Sequence, residues 1–310
     1  MTLTLPERIH ADGLLPFIGQ LSGVGQEQAI EIDFEPLKRV SPAGLVVLAA
    51  AVTKWLRERR SVVFSNLEKC AITGYLQRMD VLTACGAALP ETFKRHAAKG
   101  RFVPVQLVDH DVEKMGHELA ACLAPGGEDY EHPYAALYDL AWYVFTEMAN
   151  NVRQHSRGLG YASAQVTRSE GLVRLAIADN GKGIRQSFVD AGLPWSQGIS
   201  DAEAILKAFI SKISSKGRPT NEGVGLTLVA GLVKQAHGWL LVVSGTGVVI
   251  LKPGGEPMVS ELPGGASFEG TLVVTAFKQK DVKNFANLLH AAKVKAGLLQ
   301  NRTSAGNFKS

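Results

Sequence analysis

The sequence predicts an α/β protein built from two successive units, and three observations carry that reading. The first hundred residues alternate strand, helix, strand, helix: Ala29–Phe34, Ala43–Arg59, Ser61–Ser65 and Ile72–Leu82. The later chain alternates again, with a helix over Tyr134–Ser156 and strands over Tyr161–Thr167 and Leu172–Ala178. A glycine-led helix then starts near Gly225, followed by strands over Trp239–Ser244, Val248–Leu251 and Thr271–Ala276. Finally, 310 residues with 46% hydrophobic content suffice for two packed cores.

In the N-terminal unit, Ala29–Phe34 alternates apolar and acidic residues, as a half-buried strand does. Ser41-Pro42 opens the long helix, with serine suited to the cap and proline to the first turn. Strand, Ser-x-x-Gly-Leu helix, strand and helix form a βαβα unit. Over residues 14–90 this resembles a STAS domain, the fold of anti-anti-sigma factors. Phosphorylatable members carry Asp-Ser-Ser/Thr-Gly-Leu at the helix start, whereas this chain has Ser41-Pro42-Ala43-Gly44-Leu45. Ser41 occupies the aspartate's place, so it reads as an N-cap rather than a phosphoacceptor. The resemblance therefore implies a docking module for a regulatory protein partner.

In the second unit, residues four apart share a helix face. Leu137, Leu140, Ala141, Val144, Met148 and Val152 form the buried stripe of the Tyr134–Ser156 helix. Glu147, Asn151 and His155 form a polar stripe beside it. A carboxylate and an amide oxygen on one rigid face suit Mg²⁺, which takes hard oxygen ligands together with substrate phosphates. A solvated helix face explains the same pattern when it is taken alone.

Asp179 follows the second strand, with Gly181 and Gly183 close behind. A carboxylate there can accept from the exocyclic amine of adenine. Glycine lets backbone approach a flat ring or adopt positive φ. An Asp-Asn-Gly turn is the plain alternative. Asn221, Gly223, Gly225 and Leu226 open an apolar helix, an arrangement whose free amides and dipole attract anions. The preceding run Ser211–Asn221 carries Lys212, Lys216 and Arg218 and reads as a mobile flap.

Together and in this order, these segments resemble the ATP-binding domain of the GHKL superfamily over residues 110–278. That superfamily holds histidine kinases, gyrase-type topoisomerases, Hsp90-like chaperones, MutL-like repair proteins and anti-sigma serine kinases. Glu147, Asn151 and His155 match its N box; Asp179, Gly181 and Gly183 its G1 box; Gly223 and Gly225 its G2 box. Ala236-His237-Gly238 and Glu269-Gly270-Thr271 also look like histidine-kinase sequence.

The resemblance implies a Bergerat fold, with helices on a mixed, mostly antiparallel sheet. It implies ATP and Mg²⁺ as cofactors. Asp179 would read adenine, Asn151 would ligate Mg²⁺, and Glu147 would serve as general base. The glycines would line the nucleotide, with ATP and Mg²⁺ ordering a flap between Gln186 and Asn221. Two departures bear on turnover: Asn221 stands where the family often has glycine, and Gln154 where it often has lysine.

The expected activity is γ-phosphate transfer to water or to a partner hydroxyl, by a slow ATPase or an anti-sigma-type serine kinase. The alternative is a nucleotide-gated protein-binding module without turnover. A DNA-associated ATPase ranks below both. His117, in Met115-Gly-His117-Glu118-Leu119, echoes a phosphoacceptor box, but it lies too close to Asn151 for two long intervening helices. It reads as a helix-surface histidine.

The expected boundaries are 1–100 for the STAS-like domain, 101–280 for the ATP-binding domain, and 281–310 for a C-terminal helix and tail. Helix Val282–Leu299 presents Phe285, Leu288, Leu289 and Ala292 to its own domain, with homodimer pairing left open. Gly254-Gly255 and Gly264-Gly265, with Pro253, Pro257 and Pro263, mark a loop between late strands. Net charge is +4 and the pI is near 8.9, with basic residues too scattered to support nucleic acid as a partner. Cys70, Cys85 and Cys122 have no metal spacing and fit reduced cytosolic thiols. No apolar run is long enough for a membrane, and the expected location is the cytoplasm.

Overall fold

The computed structural model describes residues 1–10, 12–87, 89–210 and 225–299. The N-terminal unit contains β1 (Thr2–Thr4), β2 (Arg8–Ile9), α1 (Leu14–Ser22), β3 (Ala29–Asp33) and β4 (Arg39–Val40). It continues with α2 (Pro42–Arg57), β5 (Ser61–Ser65), α3 (Thr73–Arg78) and α4 (Val81–Ala84). Strand β3 pairs in parallel with both β1 and β5, and β2 with β4. The parallel β3–α2–β5 crossover is the unit expected from the sequence. Ser41 caps α2, its Oγ accepting from Gly44 N at 3.4 Å, with Pro42 in the first turn.

The helix expected over Ile72–Leu82 is divided in two. Asp80 adopts a left-handed conformation, φ 55°, between α3 and α4. The break frees the Met79 carbonyl to accept from Val105 N at 2.8 Å, which ties this segment to the next unit.

The second unit contains β6 (Phe102–Leu107), α5 (Val112–Leu123) and α6 (Ala135–Asn151), which ends in a π-helical turn over Val152–Ser156. Then come β7 (Gly160–Thr167), β8 (Leu172–Asp179), α7 (Gly183–Asp190), α8 (Asp201–Ala208) and α9 (Gly225–Gln235). The unit closes with β9 (Trp239–Gly245), β10 (Gly247–Leu251), β11 (Met258–Glu261), β12 (Phe268–Lys278) and α10 (Phe285–Lys295). Its sheet has seven strands in the order β11-β10-β9-β12-β8-β7-β6.

Every pairing in that sheet is antiparallel, which corrects the expected mixed sheet. The cause is connectivity: short turns join β7 to β8, β9 to β10 and β10 to β11, and tight turns impose antiparallel neighbours. Strands β6 and β11 went unread in the sequence. Pro104 sits inside β6, where an edge position tolerates it and the register is irregular. Strand β11 is exposed at every residue and lies in the Gly/Pro-rich segment read as a loop.

Side chains alternate between two apolar clusters, one on each face of the large sheet. Leu240, Val242, Val249 and Val273 join α5, α6, α9 and α10 on one side. Leu241, Val243, Val248, Leu272 and Val274 join α1 and α2 on the other. Helix α2 lies between β5 and the large-sheet strands β7 and β8. It is buried around its whole circumference from Pro42 to Ala50, as a helix flanked by two sheets must be. Each aliphatic side chain sealed there contributes about 2 kcal/mol. The N-terminal unit and the large sheet thus share one continuous core.

Candidate functional site

Helix α6 places the first group of residues. Glu147 and Asn151 lie one turn apart, both half-buried, and Asn151 is the last α-helical residue. Wider π-helical turns are frequent at functional sites, and the turn at 152–156 redirects the chain so that Ser156 faces the end of β8. His155 is half-buried within this turn.

Helix α9 brings its first residue to the same place. A Cβ on Gly225 would lie 2.5 Å from Glu147 Oε2 and 3.8 Å from Asn151 Oδ1. The α9 N-terminus therefore faces the carboxylate and amide of α6. Leu226 follows, half-buried, in the first turn. Asn221, Gly223 and the run Ser211–Asn221 lie outside the described residues.

Asp179 ends β8 and is 3% exposed. Its Oδ1 accepts from Ser156 Oγ at 2.5 Å and from Gly181 N at 2.8 Å, and Thr271 N also donates to the carboxylate. Burial pushes its pKa up to about 6, against the opposing pull of these three donors. A carboxylate has about four acceptor positions, so capacity for one more donor remains. The exocyclic amine of adenine fits that requirement.

Glycine is required around this acid. A Cβ on Gly181 would run into the carbonyl and hydroxyl of Ser156. Gly183 has φ 74°, and Ser244 Oγ beside it accepts from Ile184 N while donating to the Gly270 carbonyl, both at 2.9 Å. Gly270 has φ 116°, and a Cβ there would strike the Asp179 backbone carbonyl. The cradle around Asp179 thus depends on absent side chains.

Burial also raises the pKa of Glu147, and Glu113 adds to the rise. A hydrogen bond from the Tyr143 hydroxyl holds it back. Tyr143 precedes Glu147 by one turn, so the spacing rule that assembled the Glu147–Asn151–His155 stripe extends to it. Ser156 and Ser244 also support the site but lay beyond sequence reading, because their partners are far away along the chain.

Other sequence readings are placed as follows. Segment 186–210, expected as flap, holds most of α7 and all of α8, which pack against β9 and β10. A capping box at Ser200 and Glu203 and the burial of Ala204 and Ile205 fix α8 there. His117 is exposed on α5, bonded to Tyr138 Oη at 2.7 Å and stacked on Trp142. Helix α10 packs Ala292, Phe285, Leu288 and Leu289 into the core of its own unit.

Residues 138–275 match the family of histidine kinase-, DNA gyrase B- and HSP90-like ATPases. This segment is a GHKL-type ATPase domain, a class whose members bind ATP. No curated protein matches the chain. None of the described helices is long and apolar enough to cross a membrane.

Proposed function

We propose that the protein is a cytosolic regulator that binds Mg-ATP and transfers the γ-phosphate to water or to a partner hydroxyl. The observation that carries this reading is the convergence of Glu147, Asn151 and the α9 N-terminus at Gly225, beside the π-helical turn whose Ser156 anchors Asp179. Asp179 accepts the adenine amine, and Gly181 and Gly183 let backbone approach the base. The α9 N-terminus receives phosphate. Asn151, with Glu147 nearby, would hold Mg²⁺, and a bound Mg²⁺ would neutralise charge on the phosphates. Glu147 is the general base: burial raises its pKa and so favours proton uptake, while the hydrogen bond from the Tyr143 hydroxyl opposes that rise.

The N-terminal unit, in this reading, is a STAS-like docking module for a regulatory protein. Its parallel β3–α2–β5 arrangement supports that reading, and the buried cap role of Ser41 argues against a phosphoacceptor there.

The test is incubation of the full chain with γ-labelled ATP, with and without Mg²⁺, followed for ADP, free phosphate and labelled protein. Mg²⁺-dependent ADP that Glu147→Ala abolishes while ATP binding persists is the expected result. Tight binding without any ADP would instead establish the nucleotide-gated module.

A further inference from the structure

Asn180 follows the acid proposed to read adenine, yet its side chain reaches into the N-terminal unit. Its Oδ1 accepts from Leu159 N at 2.8 Å. That fixes which end of the amide is which, because a backbone N–H needs an acceptor. Its Nδ2 consequently faces α2, donating to the Ala50 carbonyl at 2.9 Å and to Thr53 Oγ1 at 3.3 Å. These acceptors belong to a helix that precedes Asn180 by well over a hundred residues.

The opposite wall of the same acid is tied to the same unit. Lys54 of α2 ion-pairs with Glu269. Ser22 Oγ, at the end of α1, accepts from Ser267 N at 3.1 Å. Glu269 leads directly into Gly270, which packs on the Asp179 carbonyl, and Thr271, which donates to its carboxylate. Both backbone segments that frame Asp179 are therefore anchored in α1 and α2. A cleft of about 150 Å³ lies between these anchors, lined by Trp55, Lys54, Asn180 and Glu269 among others.

We infer that Asn180 is a positioning residue that couples the N-terminal unit to the adenine end of the nucleotide site. The inference rests on the nucleotide reading above. Coupling of this kind is reciprocal: nucleotide must tighten α2, and a disturbed α2 must loosen nucleotide by the same factor. A partner docked on the N-terminal unit then reaches the ATP site through a hydrogen-bonded seam.

The experiment uses the full chain. Backbone hydrogen exchange is measured with and without Mg-ADP, and Mg-ADP affinity is measured by calorimetry for wild type, Asn180→Asp and Thr53→Val. Asn180→Asp keeps the acceptor for Leu159 N but sets a carboxylate oxygen against the Ala50 carbonyl. Thr53→Val removes a hydroxyl within α2, outside the nucleotide site. Exchange over residues 49–54 should slow at least fivefold on Mg-ADP binding to the wild type. Affinity should fall about tenfold in Asn180→Asp and by less in Thr53→Val, with the α2 protection lost in proportion. Melting temperatures near the wild type's would separate coupling from general damage. Should Asn180→Asp fail to fold, Thr53→Val and the wild-type exchange still decide the matter. Wild type that binds nucleotide with α2 exchange unaltered, or variants that bind within twofold of it, overturns the coupling alone. Wild type that binds no nucleotide overturns the nucleotide reading as well.

Discussion

Replacing Asp179 by asparagine should separate two opposing effects of one buried charge. The carboxyl is 3% exposed and its pKa is pushed up to about 6, mainly by desolvation. An unfolded chain restores the ordinary aspartate value near 4. The folded state therefore holds this proton more tightly than the unfolded state does. The resulting stability is fully present below the unfolded pKa and is lost as pH rises through 6. A rise from near 4 to about 6 corresponds to about 3 kcal/mol. Urea unfolding at pH 4 to 7 should show the wild type losing about that much relative to Asp179→Asn, whose amide does not titrate.

Ligand binding should run the other way. The adenine amine prefers the ionised acid, whose population rises from about a tenth at pH 5 to about nine tenths at pH 7 when the pKa is near 6. Adenosine brings no phosphate ionisation into that range, and its affinity should rise about tenfold from pH 5 to 7 in the wild type. The Asp179→Asn variant should bind it more weakly and show no such rise. Parallel pH profiles of unfolding in the two proteins, or adenosine binding that weakens with pH, would refute the reasoning.

Three further outcomes follow from the same geometry. Tyr143→Phe removes the hydrogen bond that holds the Glu147 pKa down, so the acidic limb of the ATPase rate profile should move to higher pH; an unmoved limb excludes the contact. Gly181→Ala forces a methyl against Ser156, and such overpacking costs about 1–3 kcal/mol, so chemical denaturation should register that loss and calorimetry should find weaker nucleotide binding. Ser41→Ala removes the α2 cap at a cost of about 1 kcal/mol, lowering the melting temperature by about 2 °C while leaving any labelling by γ-labelled ATP unchanged; loss of label would make Ser41 a phosphoacceptor.

Helix geometry converts the spacing of Glu147 and Asn151 into one shared face of α6, whereas His155 falls in the π-helical turn beyond it. Tyr143 lies one turn before Glu147, but spacing alone does not tell an aromatic ring beside a buried face from core. The support around Asp179 was not legible in this way. Ser156 reaches it through a π-helical turn that no apolar period announces, and strand order, which spacing does not encode, brings Thr271 to the carboxylate and Ser244 to the neighbouring Gly270 carbonyl.

The junction between the two units left a subtler trace. Leu240–Val243 is apolar at four successive positions, and α2 is apolar on every side from Pro42 to Ala50. A strand of the first kind requires cover on both faces. A helix of the second kind requires neighbours all round. The three-stranded parallel sheet covers only one side of α2, and the α6 and α9 layer covers only one face of β9. The large-sheet strands β7 and β8 cover the other side of α2, and Leu241 and Val243 of β9 join the same apolar cluster. Taken as a pair, these two runs require a shared core, and a shared core places Ala50 and Thr53 against whichever strand end carries Asn180. The link between the N-terminal unit and Asp179 thus arises from the same burial demand that joins the two units.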